Sequence, residues 1–152
     1  LTAMVFSLLI GAGLFTQLLV LAAVPRRLTE WALDLQAAPA LTVALILLAC
    51  VPLGMFLDSL SIILITAPIA YPIVTALGYD GIWFGVLMVI MVEIGLITPP
   101  VGLSVYAVAS ASNRISVESA FAGAARFLPA YGVVIGLLFL FPGIVTALPG
   151  HL

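Results

Sequence analysis

The chain has 152 residues, 65% of them hydrophobic and 7% charged, with a mean hydropathy of +1.42. That composition lies far from the soluble globular range and reads as an all-α integral membrane protein in contact with a lipid bilayer. Four arginines without a lysine exclude a nucleic-acid surface, and the lone Cys50 excludes a disulfide within the chain. The single histidine, His151, sits beside the end and reads as part of a frayed terminus rather than as a ligand.

Leu1 to Val24 carries no charge and is long enough to cross a hydrocarbon core, which takes about 20 helical residues. It begins without a basic flank or a small-residue cleavage site, so no signal peptide is read and the chain has the look of a piece of a longer protein. Gly11 and Gly13 give this span a small-residue face for a neighbouring helix. Pro25, Arg26 and Arg27 are expected to end it at the membrane surface. Residues 28–38, with Glu30, Trp31 and Asp34 among leucines and alanines, predict a short amphipathic helix in the interface, or equally a plain connecting helix.

Residues 40–76 predict a re-entrant helical hairpin. The first arm, Ala40 to Leu53, covers only about 21 Å at 1.5 Å per residue, too short to cross unaided. Gly54 to Ser59 would form the tip, with Pro52 and Gly54 where a turn needs them. The second arm, Leu60 to Ala76, is interrupted by Pro68 and Pro72. A single long kinked span containing Asp58 is the alternative.

Leu77 to Gly81 is a turn cluster, with Tyr79 and Trp83 placed as interfacial anchors. Residues 82–112 then predict a broken span, with halves from Ile82 to about Leu96 and from Val101 to about Ser112. Pro99 and Pro100 remove two backbone donors in succession, and Gly95 and Gly102 loosen the chain on either side. Unpaired backbone at membrane depth survives only where it is buried in protein or lines a polar cavity. Asn113 to Ala125 reads as a loop or short interfacial helix, and residues 127–148 as a last span bent or ended by Pro142 and Gly143. The arginines divide two against two across such a topology, so charge assigns no orientation.

Asp58 and Glu93 are the acidic residues deep inside apolar runs, where a charge needs something to offset its insertion cost. For Asp58 that is a helix cap on Leu60 and Ser61, or contact with a transported species; for Glu93, a hydrogen bond to the loosened backbone near Thr98, or an ion or proton. The hydroxyls of Ser59 and Thr98 and the carbonyls of Gly95, Leu96 and Ile97, left without helical partners by the prolines, are neutral oxygens that suit Na⁺. Exposed half-helix N-termini suit an anion. The candidate substrate and ion site is therefore Gly54, Asp58, Ser59, Glu93, Gly95, Thr98, Pro99, Pro100 and Gly102, with Gly95, Ile97 and Thr98 as the Na⁺ candidates. No catalytic residues and no cofactor are expected. An intramembrane aspartyl protease using Asp58 and Asp80 lacks its Gly-x-Gly-Asp signature.

Gly54-Met-Phe-Leu-Asp58-Ser59, Pro68-Ile-Ala-Tyr-Pro72, Leu77-Gly-Tyr-Asp80, Phe84-Gly85-Val86 and, above all, Glu93-Ile-Gly-Leu-Ile-Thr-Pro-Pro-Val-Gly102 together resemble the C-terminal half of the large membrane subunit of TRAP (tripartite ATP-independent periplasmic) transporters. The resemblance implies one half of an inverted-repeat, elevator-type fold, in a multi-pass permease of a bacterial or archaeal inner membrane. It implies Na⁺-driven uptake of an organic acid anion such as a C4-dicarboxylate or a sialic acid, with a small four-helix membrane subunit and a periplasmic substrate-binding protein as partners. The hairpin tip, 54–59, and the break, 95–102, would then form an ion site and one wall of the substrate site. The first repeat, with its own hairpin and break, is absent from this sequence, so transport is expected of the parent protein. Another cation-coupled carboxylate carrier of related fold and a non-transporting membrane assembly module are the alternatives.

Overall fold

The computed structural model describes residues 2–34, 38–111 and 116–147. The expectations for His151, for the loop at Asn113 and Arg114 and for the outer edge of the last span at Leu148 lie outside the described residues.

The regular structure of the described residues is all helix, as an apolar environment demands of a backbone that cannot bond to water. Helix α1, Thr2–Leu21, turns by 60° into α2, Val24–Asp34. The bend falls at Ala22 and Ala23, where Ala23 adopts a left-handed φ of 54°, and not at Pro25 as the sequence suggested. Pro25 instead occupies the first turn of α2, where its missing N–H is no loss. The exposed face of α2 carries an Arg26–Glu30 pair at 2.8 Å one turn apart, and the helix packs against α4.

Helices α3, Pro39–Phe56, and α4, Ser59–Ala76, are joined by Leu57 and Asp58 alone. Each has 18 residues and so spans about 27 Å. This corrects two expectations. The first arm does not stop at Leu53, because the helix continues through Pro52 and Gly54 and turns three residues later. The second arm is not interrupted, since Pro68 and Pro72 both lie inside α4. A proline in a helix costs its own donor and some crowding, and packing against neighbours can carry the helix past it.

Helix α5, Gly81–Ile97, is the centre of the fold. Its Trp83, Phe84, Leu87, Met88, Met91, Val92 and Leu96 are buried against Val43, Leu47 and Cys50 of α3 and Ile62, Ala70 and Val74 of α4. Helix α3 packs more extensively on α5 than any other pair, and the two meet near their C-terminal ends, so they run side by side in one direction. Helix α4 starts at that end and finishes four residues before α5 begins, so it returns antiparallel to both. The result is a helical hairpin with its tip beside the far end of α5.

Beyond α5 come α6, Leu103–Ser110, α7, Val117–Ala125, α8, Leu128–Leu140, and the short α9, Gly143–Thr146. Pro142 thus ends α8 rather than bending it. By length and composition three helical runs among the described residues can cross a membrane, Pro39–Phe56, Ser59–Ala76 and Val117–Leu140, or four if the bent α1–α2 pair counts as one. The chain is an all-α integral membrane structure.

Trp83 corrects the sequence reading as well. It is 1% exposed, not interfacial, and its indole N–H donates to the Leu138 carbonyl at 2.6 Å. The helical donor for that carbonyl belongs to residue 142, which is proline and has none. Trp83 supplies the missing hydrogen bond and lies between Tyr79, stacked at 5.2 Å, and Phe139 at 5.4 Å between centroids. Replacing Trp83 with Phe keeps most of the apolar volume but orphans the Leu138 oxygen. A loss of about 1 to 3 kcal/mol is expected, the cost of a buried unsatisfied acceptor, read as a lowered thermal midpoint of the purified protein.

Candidate functional site

The hairpin tip and the helix break come together through two glycines. A Cβ on Gly54 would lie 2.8 Å from the Val92 carbonyl oxygen and 2.9 Å from Gly95 Cα. One on Gly95 would lie 2.5 Å from the Val51 carbonyl oxygen and 2.7 Å from Gly54 Cα. Backbone therefore rests on backbone where α3 crosses α5, an approach that only residues without side chains allow. From this crossing the tip at Asp58 is four residues along one chain and Thr98 three along the other, each about one helical turn away.

At the tip, Asp58 caps α4. Its Oδ1 accepts from the Ser61 N–H at 3.0 Å and its Oδ2 accepts from the Ser61 hydroxyl. Both carboxylate oxygens are thus turned toward the helix they start, which is the capping reading of this residue. Ser59 is the first residue of α4 and is half-buried.

At the break, α5 ends with Thr98 in extended backbone, its N–H donating to the Gly95 carbonyl at 3.1 Å. Gly95 is therefore not left unpaired, contrary to the sequence expectation, because the last turn tightens to reach it. The carbonyls of Leu96 and Ile97 accept no backbone hydrogen bond among the described residues, as Pro100 cannot donate and the chain has left the helix. The Thr98 hydroxyl donates to the Ile94 carbonyl. With its one proton spent there, the oxygen presents only lone pairs to anything on its other side. The Pro99–Pro100 bond is cis and both rings are exposed.

The chain re-enters helix at Gly102, which is buried with a left-handed φ of 53° and starts α6. The Phe121 ring of α7 covers it, 2.6 Å from where a Cβ would be, and stands edge-on to Tyr106 at 5.8 Å. Between α5, α6 and α7 lies a cavity of about 390 Å³ lined in part by Ile97, Ser104, Ser119 and Gly123. Ser104, Ser119 and Phe121 were missed in the sequence. Ser104 follows Gly102 closely enough to have been found, whereas α7 reaches the break only through the fold.

Glu93 is not brought to this cluster. It is two residues from Gly95, about 200° around the axis, and so points away from the crossing. It is exposed, and among the described residues it makes no hydrogen bond to the backbone near Thr98. The other acidic candidate, Asp80, caps α5 by accepting from Ile82 and Trp83 at 2.8 and 2.9 Å. Asp58 and Asp80 thus flank opposite ends of the 18-residue α4, about 27 Å apart, and cannot share a proton as a protease dyad. No cluster of three His, Cys, Asp or Glu side chains occurs among the described residues. A cation held here would be held by backbone and hydroxyl oxygens.

A helical hairpin whose tip is fixed against a discontinuous helix is an arrangement of half-helices that recurs in secondary transporters. Residues 1–144 match the family model described as "Tripartite ATP-independent periplasmic transporter, DctM component". The chain belongs to this family. It is 34% identical over its whole length to the C4-dicarboxylate TRAP transporter large permease protein DctM of Pseudomonas aeruginosa, of which it covers 35%. It is 29% identical over 148 residues to the sialic acid TRAP transporter large permease protein SiaM of Vibrio cholerae, covering 97% of this chain and 34% of that protein. It is also 36% identical over 100 residues to the sialic acid TRAP transporter permease protein SiaT of Haemophilus influenzae, covering 66% of this chain and 16% of that protein. The chain thus spans about a third of the length of the large permease proteins it matches. No solved structure matches it significantly. These relatives are all named as permease proteins.

Proposed function

We propose that this chain is the C-terminal repeat of a bacterial inner-membrane TRAP permease, and that its hairpin tip and helix break hold the coupling ion, Na⁺, beside an organic acid anion. The observation that carries this reading is the Gly54–Gly95 contact, which places the tip within about a turn of the carbonyls of Leu96 and Ile97 and the lone pairs of Thr98. Neutral oxygens at the end of one half-helix attract a cation, and the start of another attracts an anion. The relatives named for C4-dicarboxylates, sialic acids and isethionate support an organic acid anion as the cargo. A periplasmic binding protein would deliver the acid and a small membrane subunit would complete the complex, with the hairpin and break moving as one body in an elevator-like step.

In the intact permease, Thr98→Val keeps the side-chain volume and removes the oxygen. Sodium-dependent uptake of labelled organic acid into reconstituted vesicles is expected to fall about tenfold or more, on the scale of a polar contact to a charge, with membrane insertion unchanged. Asp58→Asn keeps the cap, since Asn caps about as well as Asp, and is expected to lower uptake less. Wild-type sodium dependence in Thr98→Val would remove this site from the transport cycle.

A further inference from the structure

One face of α5 remains uncovered in this chain. Ile82, Val86, Val89 and Glu93 follow one another at spacings of four, three and four, so they form one stripe along the helix. All four are exposed, while the opposite face carries the buried core. Three of the four are apolar, as in any lipid-facing stripe, but the fourth is a carboxyl group. Glu93 lies twelve residues beyond the start of α5, about 18 Å along its axis and inside hydrocarbon if the Asp80 turn sits at the surface. A carboxyl group there is unfavourable against lipid, and acidic residues at such depth face protein or a water-filled cavity. Among the described residues no donor reaches it; α3 and α4 pack on the buried face of α5, and α7 and α8 come alongside the stripe only at its edge, where Ile90 and Ile97 face Ala124, Phe127 and Tyr131 across a cavity.

We propose that this stripe is an interface on which a transmembrane helix from the remainder of the permease docks and donates a hydrogen bond to Glu93. The occupant follows from length: this chain covers 35% of a relative that it matches from end to end, so most of such a permease lies outside it. The proposal rests on the permease reading above. An apolar strip interrupted by one acceptor fits a helix that is itself apolar with one donor, such as an Arg, Asn or Ser side chain. Lipid would leave the carboxyl unmatched. A second copy of the same face would set two carboxyl groups against each other.

The test uses the full-length permease in lipid nanodiscs, with Cys50→Ala and single spin labels on Val86→Cys or Val89→Cys. Both labels are expected to be immobile and shielded from oxygen dissolved in the bilayer. Glu93→Leu is expected to shift the unfolding equilibrium by about three- to thirtyfold, the range of one interhelical hydrogen bond in a membrane, while Glu93→Gln, which still accepts, stays close to wild type. Freely oxygen-accessible labels would overturn the proposal in favour of a lipid-facing stripe. Disulfide formation between two copies of Val89→Cys would overturn it in favour of an oligomer contact, and wild-type stability of Glu93→Leu would remove the hydrogen bond. Organic-acid uptake by the unsubstituted protein reads the permease function separately, so its absence with shielded labels would count against that reading and not against the interface.

Discussion

Gly95→Ala is expected to push α3 and α5 apart and to lower the stability of the intact permease by about 2 to 3 kcal/mol, the upper range for overpacking a close contact. The added methyl would meet the Val51 carbonyl oxygen at 2.5 Å and Gly54 Cα at 2.7 Å. Both are main-chain atoms of a packed helix, so no side chain can rotate away and the helices must separate. Gly54→Ala meets the same obstacle from the other side, with the Val92 oxygen at 2.8 Å. Gly85 of the same helix is the control, because nothing lies within 4 Å of its added Cβ. Gly85→Ala should leave stability unchanged or raise it by up to about 1 kcal/mol through backbone entropy. Thermal unfolding of the three purified variants in one detergent checks the ordering. Organic-acid uptake should follow it, since separation moves the hairpin tip away from the break.

Gly102→Val is expected to cost about 2 to 4 kcal/mol, by two additive routes. The backbone at φ 53° disfavours any L side chain and a β-branched one most, and the Phe121 ring already occupies the place of the Cβ, at 2.6 Å. The two routes separate in a double-mutant cycle. In a Phe121→Ala background the clash is gone, and adding Gly102→Ala there is expected to cost only the left-handed backbone term, about 1 to 2 kcal/mol. Thermal midpoints of the single and double variants measure the coupling. Additivity without coupling would mean that Phe121 does not rest on Gly102.

The break and the tip were legible because their residues act locally. Tandem prolines cannot donate wherever they lie, and an acidic residue followed three positions on by serine at the head of an apolar run caps a helix. What Gly54 and Gly95 do was half legible: their spacing from tip and break was visible, but not that each is glycine to make room for the other. Pro52, Pro68 and Pro72 misled because the strength of a helix against a missing donor depends on what packs around it, and in α3 and α4 that is α5. Trp83 misled because aromatic residues near a turn are usually interfacial, and the carbonyl that draws it inward is 55 residues away in sequence. The faces of α5 were not legible at all. Apolar residues surround almost its whole circumference, so only the fold tells the buried Val92 from the exposed Val89.

The claim that tip and break together grip a small cation is tested most directly by the thermal midpoint of the full-length permease in sodium chloride against choline chloride at equal ionic strength. A ligand that binds the folded state raises that midpoint with its concentration. Sodium should raise it in the wild-type protein and in Gly85→Ala, and raise it much less in Thr98→Val and Gly95→Ala. Equal midpoints in the two salts for the wild-type protein would contradict it.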